Sequence, residues 1–497
     1  MPKQLNKRGD YLQPSIKEIN NDVHQRRWLI FTVLNIFTFM GTLDASIVNI
    51  ALPTISKQLG LAFASSQWIV ISYLLTICTV ILFFGKLGDM FGKINVFKWG
   101  SILFIIGSFL CGLSNTLSFL VISRIIQAIG AAMTMANSQG IVTEIFPVKE
   151  RGKALGLIGT FVSLGSITGP SLGGIIISSL GWEYIFWINI PIGFIAIALA
   201  WKILPKDVTI TKTKIDVAGS LLFSFSIILF IGGLLLGQQY GYANWFIIAS
   251  IIIGVLTFIS FIIVEYRKES PMLELSIFKN PLFSISIFCA FIVFIANFCF
   301  NILSPFYTQD ILGLSALHSG YILMLFPITM AIVAPISGSL SDKISGQAIT
   351  FVGLLVMIVE EIGLTFLHEG STLISLALWI IMLGASTGLF QSPNNSLIMS
   401  TVERKQLGIA GSINSLVRNL GMVVGISLAT SILFSVMSIK AGYRVTALIP
   451  GRPDIFLSGM HVVFLVSSSL CFVGLLLTGW RYVTSRKVES KKVRNAS

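Results

Sequence analysis

An all-α polytopic membrane protein with about fourteen crossings is the fold class this sequence predicts, and three observations predict it. Charged residues make up 11% and hydrophobic residues 54% of the 497, against about 25% charged in a soluble chain. Apolar runs recur from end to end, each near the roughly 20 residues a helix needs to cross a hydrocarbon core about 30 Å thick. The runs are continuous. Only helices and closed barrels satisfy a backbone in lipid, and a barrel strand alternates polar with apolar side chains, so continuity selects helices.

Residues 1–27 are polar and lack the short apolar core and small-residue cleavage site of a signal peptide, so the first span is expected to stay in the mature protein. Spans are predicted over 28–52, 66–85, 96–114, 117–142, 153–179, 182–203, 215–237, 243–265, 282–307, 317–337, 347–367, 371–398, 407–437 and 456–480. An even number of crossings puts both tails on one side. With charges at span edges assigned to the adjoining loop, 28 of the 34 Lys and Arg residues fall on that side, four on the other and two within spans. The positive-inside rule then places both tails in the cytoplasm. The net charge of +13 accordingly reads as a topology signal with some attraction to anionic lipid, and not as a nucleic-acid footprint.

Lys440, Arg444 and Arg452 sit in the long outer connection between spans 13 and 14, with Pro450, Gly451 and Pro453, and that segment is expected to fold back or form a small cap. The five cysteines all lie in apolar runs at spacings that match neither a metal site nor a disulfide framework, so they read as packing residues.

The segment Gly85-x-Leu87-x-Asp89 after span 2 recurs as Gly338-x-Leu340-x-Asp342 after span 10, both in predicted cytoplasmic loops. Repeats across two halves mark secondary transporters, in which one bundle rocks against the other around a midplane site. Setting spans 7 and 8 aside as an insertion leaves six on each side, with the repeat at equivalent positions. The expected organisation is a tail to residue 27, a six-helix bundle over 28–203, a linker with two extra spans over 204–278, a second six-helix bundle over 279–481 and a tail over 482–497.

Four motifs in the first half carry the chemistry. The first is Gly85-x-Leu87-x-Asp89-x-x-Gly92-Lys93, glycines for a tight turn and an acid facing a base four residues on. Span 4 holds Arg124-x-x-Gln127-x-x-Gly130-Ala131, and a charge well inside a span costs at least about 2.5–3.5 kcal/mol, so Arg124 should face a partner or water. Span 5 reads Gly165-x-x-x-Gly169-Pro170-x-x-Gly173-Gly174, small residues for close helix approach around a proline bend, followed by Trp182, Trp187 and Asn189. Span 1 reads Leu43-Asp44-x-Ser46-Ile47-Val48-Asn49.

Together these resemble the major facilitator superfamily, specifically its 14-helix drug:proton antiporter branch. The resemblance implies the major facilitator fold, with two six-helix bundles and a two-helix linker hairpin. It also implies that the span 2–3 loop latches the outward-facing state by charge pairing, with Glu144, Arg151 and Lys93 as partners of Asp89 and Asp342 as the counterpart in the second half. Arg124 takes part in proton transfer, and the span 5 glycines and Pro170 form the antiporter motif. Asp44 is the best candidate proton site, since a carboxyl in low dielectric can be pushed toward neutrality and load or release a proton as access alternates.

In span 13, Arg418-Asn-Leu-Gly421 resembles the pattern of this branch, and Arg418 is expected either to bind an internal acid or to organise the pocket. A cavity for an amphiphilic small molecule is expected from Gln127, Asn297, Asn301, Gln391, Asn394, Asn395 and Arg418, with aromatic walls from Phe294 and Phe298. Glu360 and Glu361 in span 11 have no assigned role. No phosphate-binding loop, metal set or nucleophile context is present, so neither ATP-driven nor enzymatic activity is expected, no cofactor is implied and a proton gradient is the energy source. The richness in Ile, Phe, Lys and Asn fits an AT-rich bacterium, for which the plasma membrane is the expected location.

Overall fold

The computed structural model describes residues 25–207, 216–268, 273, 275–341, 343–402 and 407–496. Its first bundle comprises α1 (Arg27–Gln58), α2 (Trp68–Phe91, entered through a turn at Phe63–Ser66), α3 (Lys93–Gly112), α4 (Leu117–Ile145), α5 (Val148–Ser179) and α6 (Tyr184–Ile203). A hairpin follows, of α7 (Val217–Tyr240) and α8 (Trp245–Arg267). The second bundle comprises α9 (Pro281–Phe306), α10 (Ala316–Ser341), α11 (Gly346–Leu364), α12 (Leu373–Ser400), α13 (Leu407–Ala441) and α14 (Pro453–Ala496). Among the described residues, thirteen helices are long and apolar enough to cross a membrane. The fourteenth crossing is α5, at 32 residues amply long for about 30 Å of hydrocarbon at about 1.5 Å per residue.

Packing repeats between the bundles. The pairs α1–α5, α3–α4, α2–α4 and α3–α6 of the first bundle return as α9–α13, α11–α12, α10–α12 and α11–α14 of the second. The hairpin explains the register of eight elements between them: α7 lies against α2 on one side and α13 on the other, and its Phe223, Ile231 and Leu235 are buried against them. Its partner α8 presents much of its surface outward, with Trp245, Phe246, Ile252 and Leu256 exposed. That is the face a helix shows to lipid, where apolar side chains lose nothing by exposure.

Glycines set the close approaches. Cβ atoms at Gly165, Gly169 and Gly173 of α5 would stand within 2.7 Å of an atom of α1. In the second bundle Gly421 and Gly425 of α13 do the same against α9. The span 5 motif is therefore first a packing seam. Gly174 and Gly320 carry it between bundles: a Cβ on Gly320 would lie 2.3 Å from the backbone oxygen of Pro170, and one on Gly174 2.9 Å from that of Ala316.

Two expectations are corrected. The segment 85–93 is not a loop, because α2 continues through Phe91 and α3 starts at Lys93, leaving Gly92 as a one-residue break at φ +96°. The free N–H groups of Ile94 and Asn95 are capped from a distance by the Asp207 carboxylate, at 2.8 and 3.0 Å. In addition, Arg481, one of the span-edge charges assigned above to the tail side, is not a tail charge. It is 1% exposed in the second bundle, donating to Ser286 Oγ at 2.6 Å and Thr350 Oγ1 at 2.9 Å.

Below, the end of the molecule at which α1 begins and α14 ends is the tail end, and the opposite one is the far end. The connection after α13 does fold back at the far end: Arg444 donates to the Gly237 carbonyl at the tip of the hairpin at 3.3 Å, and Thr446 accepts from Ala64 N–H at 3.2 Å.

Candidate functional site

The two charges placed mid-span by the sequence meet. Arg124 Nη1 lies 2.5 Å from Asp44 Oδ2, and both side chains are 0% exposed. Asp44 Oδ1 accepts from Gln127 Nε2 at 2.8 Å and from Asn189 Nδ2 at 3.2 Å. Arg124 is held on its other edges by the Ile69 carbonyl at 3.0 Å, by Gln127 Oε1 at 2.7 Å and by the ring of Tyr73, whose centroid is 4.1 Å from the guanidinium carbon. Its Nη2 has no hydrogen-bond partner among the described residues. Four helices of the first bundle and Ser108 of α3, which accepts from Gln127 at 2.8 Å, thus enclose one ion pair. In so buried a site each charge depends on the other, and without the Asp44 carboxylate the guanidinium has no other carboxylate within reach among the described residues.

A cavity lies between the bundles. Gly41 and Ala45, which flank Asp44 on α1, line it, as do Phe104, Thr134, Phe294, Phe298, Phe326 and Gln391. Asn297, Asn301 and Arg418 are, with Gln391, on its wall. Asn297 Oδ1 accepts from Thr387 at 3.0 Å, which fixes the amide across α9 and α12. Three expected cavity residues stand elsewhere. Gln127 is spent on the Asp44–Arg124 pair. Asn394 donates to the Ser286 carbonyl at 3.0 Å, joining α12 to α9, and Asn395 accepts from Asn414 at 3.1 Å. One helix presents different faces to different neighbours, so amides a residue apart cannot share a wall.

Charges at the tail end form a bridge centred on Lys93, whose Nζ lies 3.1 Å from Asp89 Oδ1 and 2.5 Å from Glu144 Oε1. Asp89 and Glu144 thus share Lys93 as a common partner. The side chain of Arg151 and the whole of Asp342 lie outside the described residues. Arg27 makes a two-pronged ion pair with Glu150 at 2.9 and 3.2 Å, tying the start of α1 to the start of α5.

At the far end the bundles are locked together. Lys57 pairs with Asp310 at 2.6 Å, Gln309 donates to the Ile50 carbonyl at 3.1 Å, and Phe63 packs against Phe306. Sequence reasoning missed this set. Lys57 and Asp310 look like ordinary charges at helix ends, and nothing local says that the ends of α1 and α9 meet. Asn189 and Tyr73 were also missed as parts of the Asp44 site, although Asn189 stood in plain view beside the span 5 motif. Glu360 and Glu361 are both fully buried in α11, with one oxygen of Glu361 accepting from Ser467 at 2.9 Å.

Comparison with known proteins gives a consistent picture. The family description Major Facilitator Superfamily matches residues 34–426. The riboflavin transporter RibZ of Clostridioides difficile is 35% identical over 458 residues, 91% of this chain and 97% of that one. Multidrug transporter protein MdtP of Bacillus subtilis is 31% identical, over 85% and 77% of the two chains, and multidrug resistance protein 3 of the same organism 29% identical, over 90% and 92%. A bacterial homologue of the human lysosomal transporter Spinster, solved facing inward and unoccupied, superposes with a TM-score of 0.63 at 16% identity over 91% of this chain and 96% of that one, a likeness of fold.

Proposed function

Because the chain belongs to the Major Facilitator Superfamily, we propose that it is a proton-coupled antiporter that exports drugs or other amphiphilic small molecules across a bacterial plasma membrane, with both tails in the cytoplasm. The observation that carries the reading is the buried Asp44–Arg124 pair, on the same turns of α1 that supply Gly41 and Ala45 to the cavity wall. A proton arriving at Asp44 neutralises the carboxylate and releases Arg124 toward Gln127 and Tyr73. Because α1 is both the ligand of the pair and the wall of the cavity, rearrangement at one is felt at the other. Alternating access then separates loading from release, and the charge bridge of Asp89, Lys93 and Glu144 latches the tail end in the outward-facing state. No ATP, metal or cofactor enters this scheme.

Reconstitution in proteoliposomes with an imposed pH gradient and a panel of dyes and antibiotics tests it. Efflux is expected to follow the gradient and to vanish in Asp44→Asn. Gradient-independent flux, or undiminished flux in that variant, sinks the proton-coupled reading.

A second reading has its own support. The 35% identity to a riboflavin transporter over nearly the whole of both chains favours an endogenous planar metabolite, such as a flavin, as the principal substrate. Uptake and efflux of riboflavin in the same liposomes separate the two.

A further inference from the structure

Three arginines stand inside the described bundles, and their surroundings differ. Arg124 faces the Asp44 carboxylate, and Arg481 is clasped by two hydroxyls. Arg418 has neither. Its side chain is on the wall of the central cavity, and it makes no hydrogen bond or ion pair with any described residue. The internal acid that the sequence allowed for is absent among the described residues. No described Asp or Glu lines the cavity, and Asp44, on a helix that also lines it, is fully buried and committed to Arg124.

A guanidinium without a counter-charge inside a membrane is unfavourable unless water or an anion meets it. Its planar fork of N–H donors matches carboxylate, sulfonate and phosphate oxygens two at a time. The rest of the cavity suits a flat aromatic body: Phe294, Phe298 and Phe326 supply ring faces, and Gln391, also without a hydrogen bond to a described residue, supplies an amide. A lipophilic cation finds aromatic rings here but no described carboxylate, and it meets a like charge.

Resting on the reading of this cavity as the transport site, we infer that its preferred substrates are aromatic acids, planar apolar compounds whose anionic group docks on Arg418. One consequence concerns energetics. Exporting an anion while importing a proton moves positive charge inward in both half-steps, so an inside-negative membrane potential adds to the drive where it would oppose the export of a cation.

Equilibrium binding of three planar probes to the purified full-length protein tests the inference without any proton gradient: carboxyfluorescein as the anion, riboflavin as the neutral compound and rhodamine 6G as the cation. Carboxyfluorescein is expected to bind tightest. Arg418→Gln should weaken it at least about tenfold, the usual loss when a hydrogen bond to a charged group is removed, while riboflavin binding changes little and Arg418→Lys restores part of the affinity. The inference is overturned if rhodamine 6G binds wild type as tightly as carboxyfluorescein does, if the anion does not bind, or if a normally melting Arg418→Gln loses all three probes alike. Should Arg418→Gln fail to fold, the ranking of the three probes on wild type decides. Anion binding together with gradient-independent flux would sink proton coupling and leave this inference standing.

Discussion

Asp44→Asn and Arg124→Leu, made singly and together, measure the coupling that the proposed mechanism needs. The ion pair is 2.5 Å long with both side chains 0% exposed. Removing one partner of such a pair leaves an uncompensated buried charge or an unmatched site and costs about 3–5 kcal/mol. Asparagine at position 44 keeps an oxygen that can accept from Gln127 or Asn189, so those bonds, worth about 1 kcal/mol each, are partly retained and the variant isolates the charge. Arg124→Leu frees a carboxylate with two amide donors still in place. In the double variant neither charge remains, so its cost should fall short of the sum of the singles by up to about 3 kcal/mol, roughly two decades in the unfolding constant. All five cysteines are buried, so the rate or extent of labelling by a thiol-reactive fluorophore in mixed micelles reports unfolding directly. Additivity within about 0.5 kcal/mol would falsify the claim that the two charges act as one unit, and the link from Asp44 to Arg124 in the transport cycle would go with it.

Two further outcomes are expected. Gly320→Ala should drive the far end apart, because its new Cβ would lie 2.3 Å from a backbone oxygen of α5 that cannot step aside; Lys57→Ala should act weakly, since its ion pair is two-thirds exposed at the lysine and worth at most about 1 kcal/mol. Spin labels at positions 57 and 317 should show a longer distance in the glycine variant, and an unchanged distribution refutes the far-end lock. The second outcome concerns acid stability at the tail end of the hairpin. Burial pushes the Asp216 carboxyl up, but the Lys268 ammonium and the Gly219 N–H prevail and hold it below its ordinary value. Such a group contributes stability that is complete above its unfolded pKa of about 3.9 and is lost as pH falls through the lower folded value. Melting below about pH 4 should therefore be less pH-dependent in Lys268→Met than in wild type, and identical acid limbs count against the pair.

Much of this molecule is written along the chain. Lipid imposes a local rule, about 20 apolar residues per crossing, so the helices, the hairpin and the repeat of Asp89 at Asp342 follow from reading in order. Asp44, Arg124 and the glycines of α5 stood out for the same reason: in hydrocarbon a charge or a run of small residues is anomalous by itself. What the sequence could not say is which anomalies meet. Asp44 and Arg124 are 80 residues apart, and their pairing depends on how α1 and α4 are rotated about their own axes. Rotation also took Gln127 out of the cavity and into the ion pair, and it set Asn394 and Asn395 against neighbouring helices. The same rotation buried Arg481 where its place at the end of an apolar run suggested a tail charge, and left Arg418 facing open space. Hydropathy is a property of one helix against lipid. Partner choice is a property of six helices against one another, fixed by where glycines such as Gly165 and Gly421 let two backbones touch, and that only the tertiary structure decides.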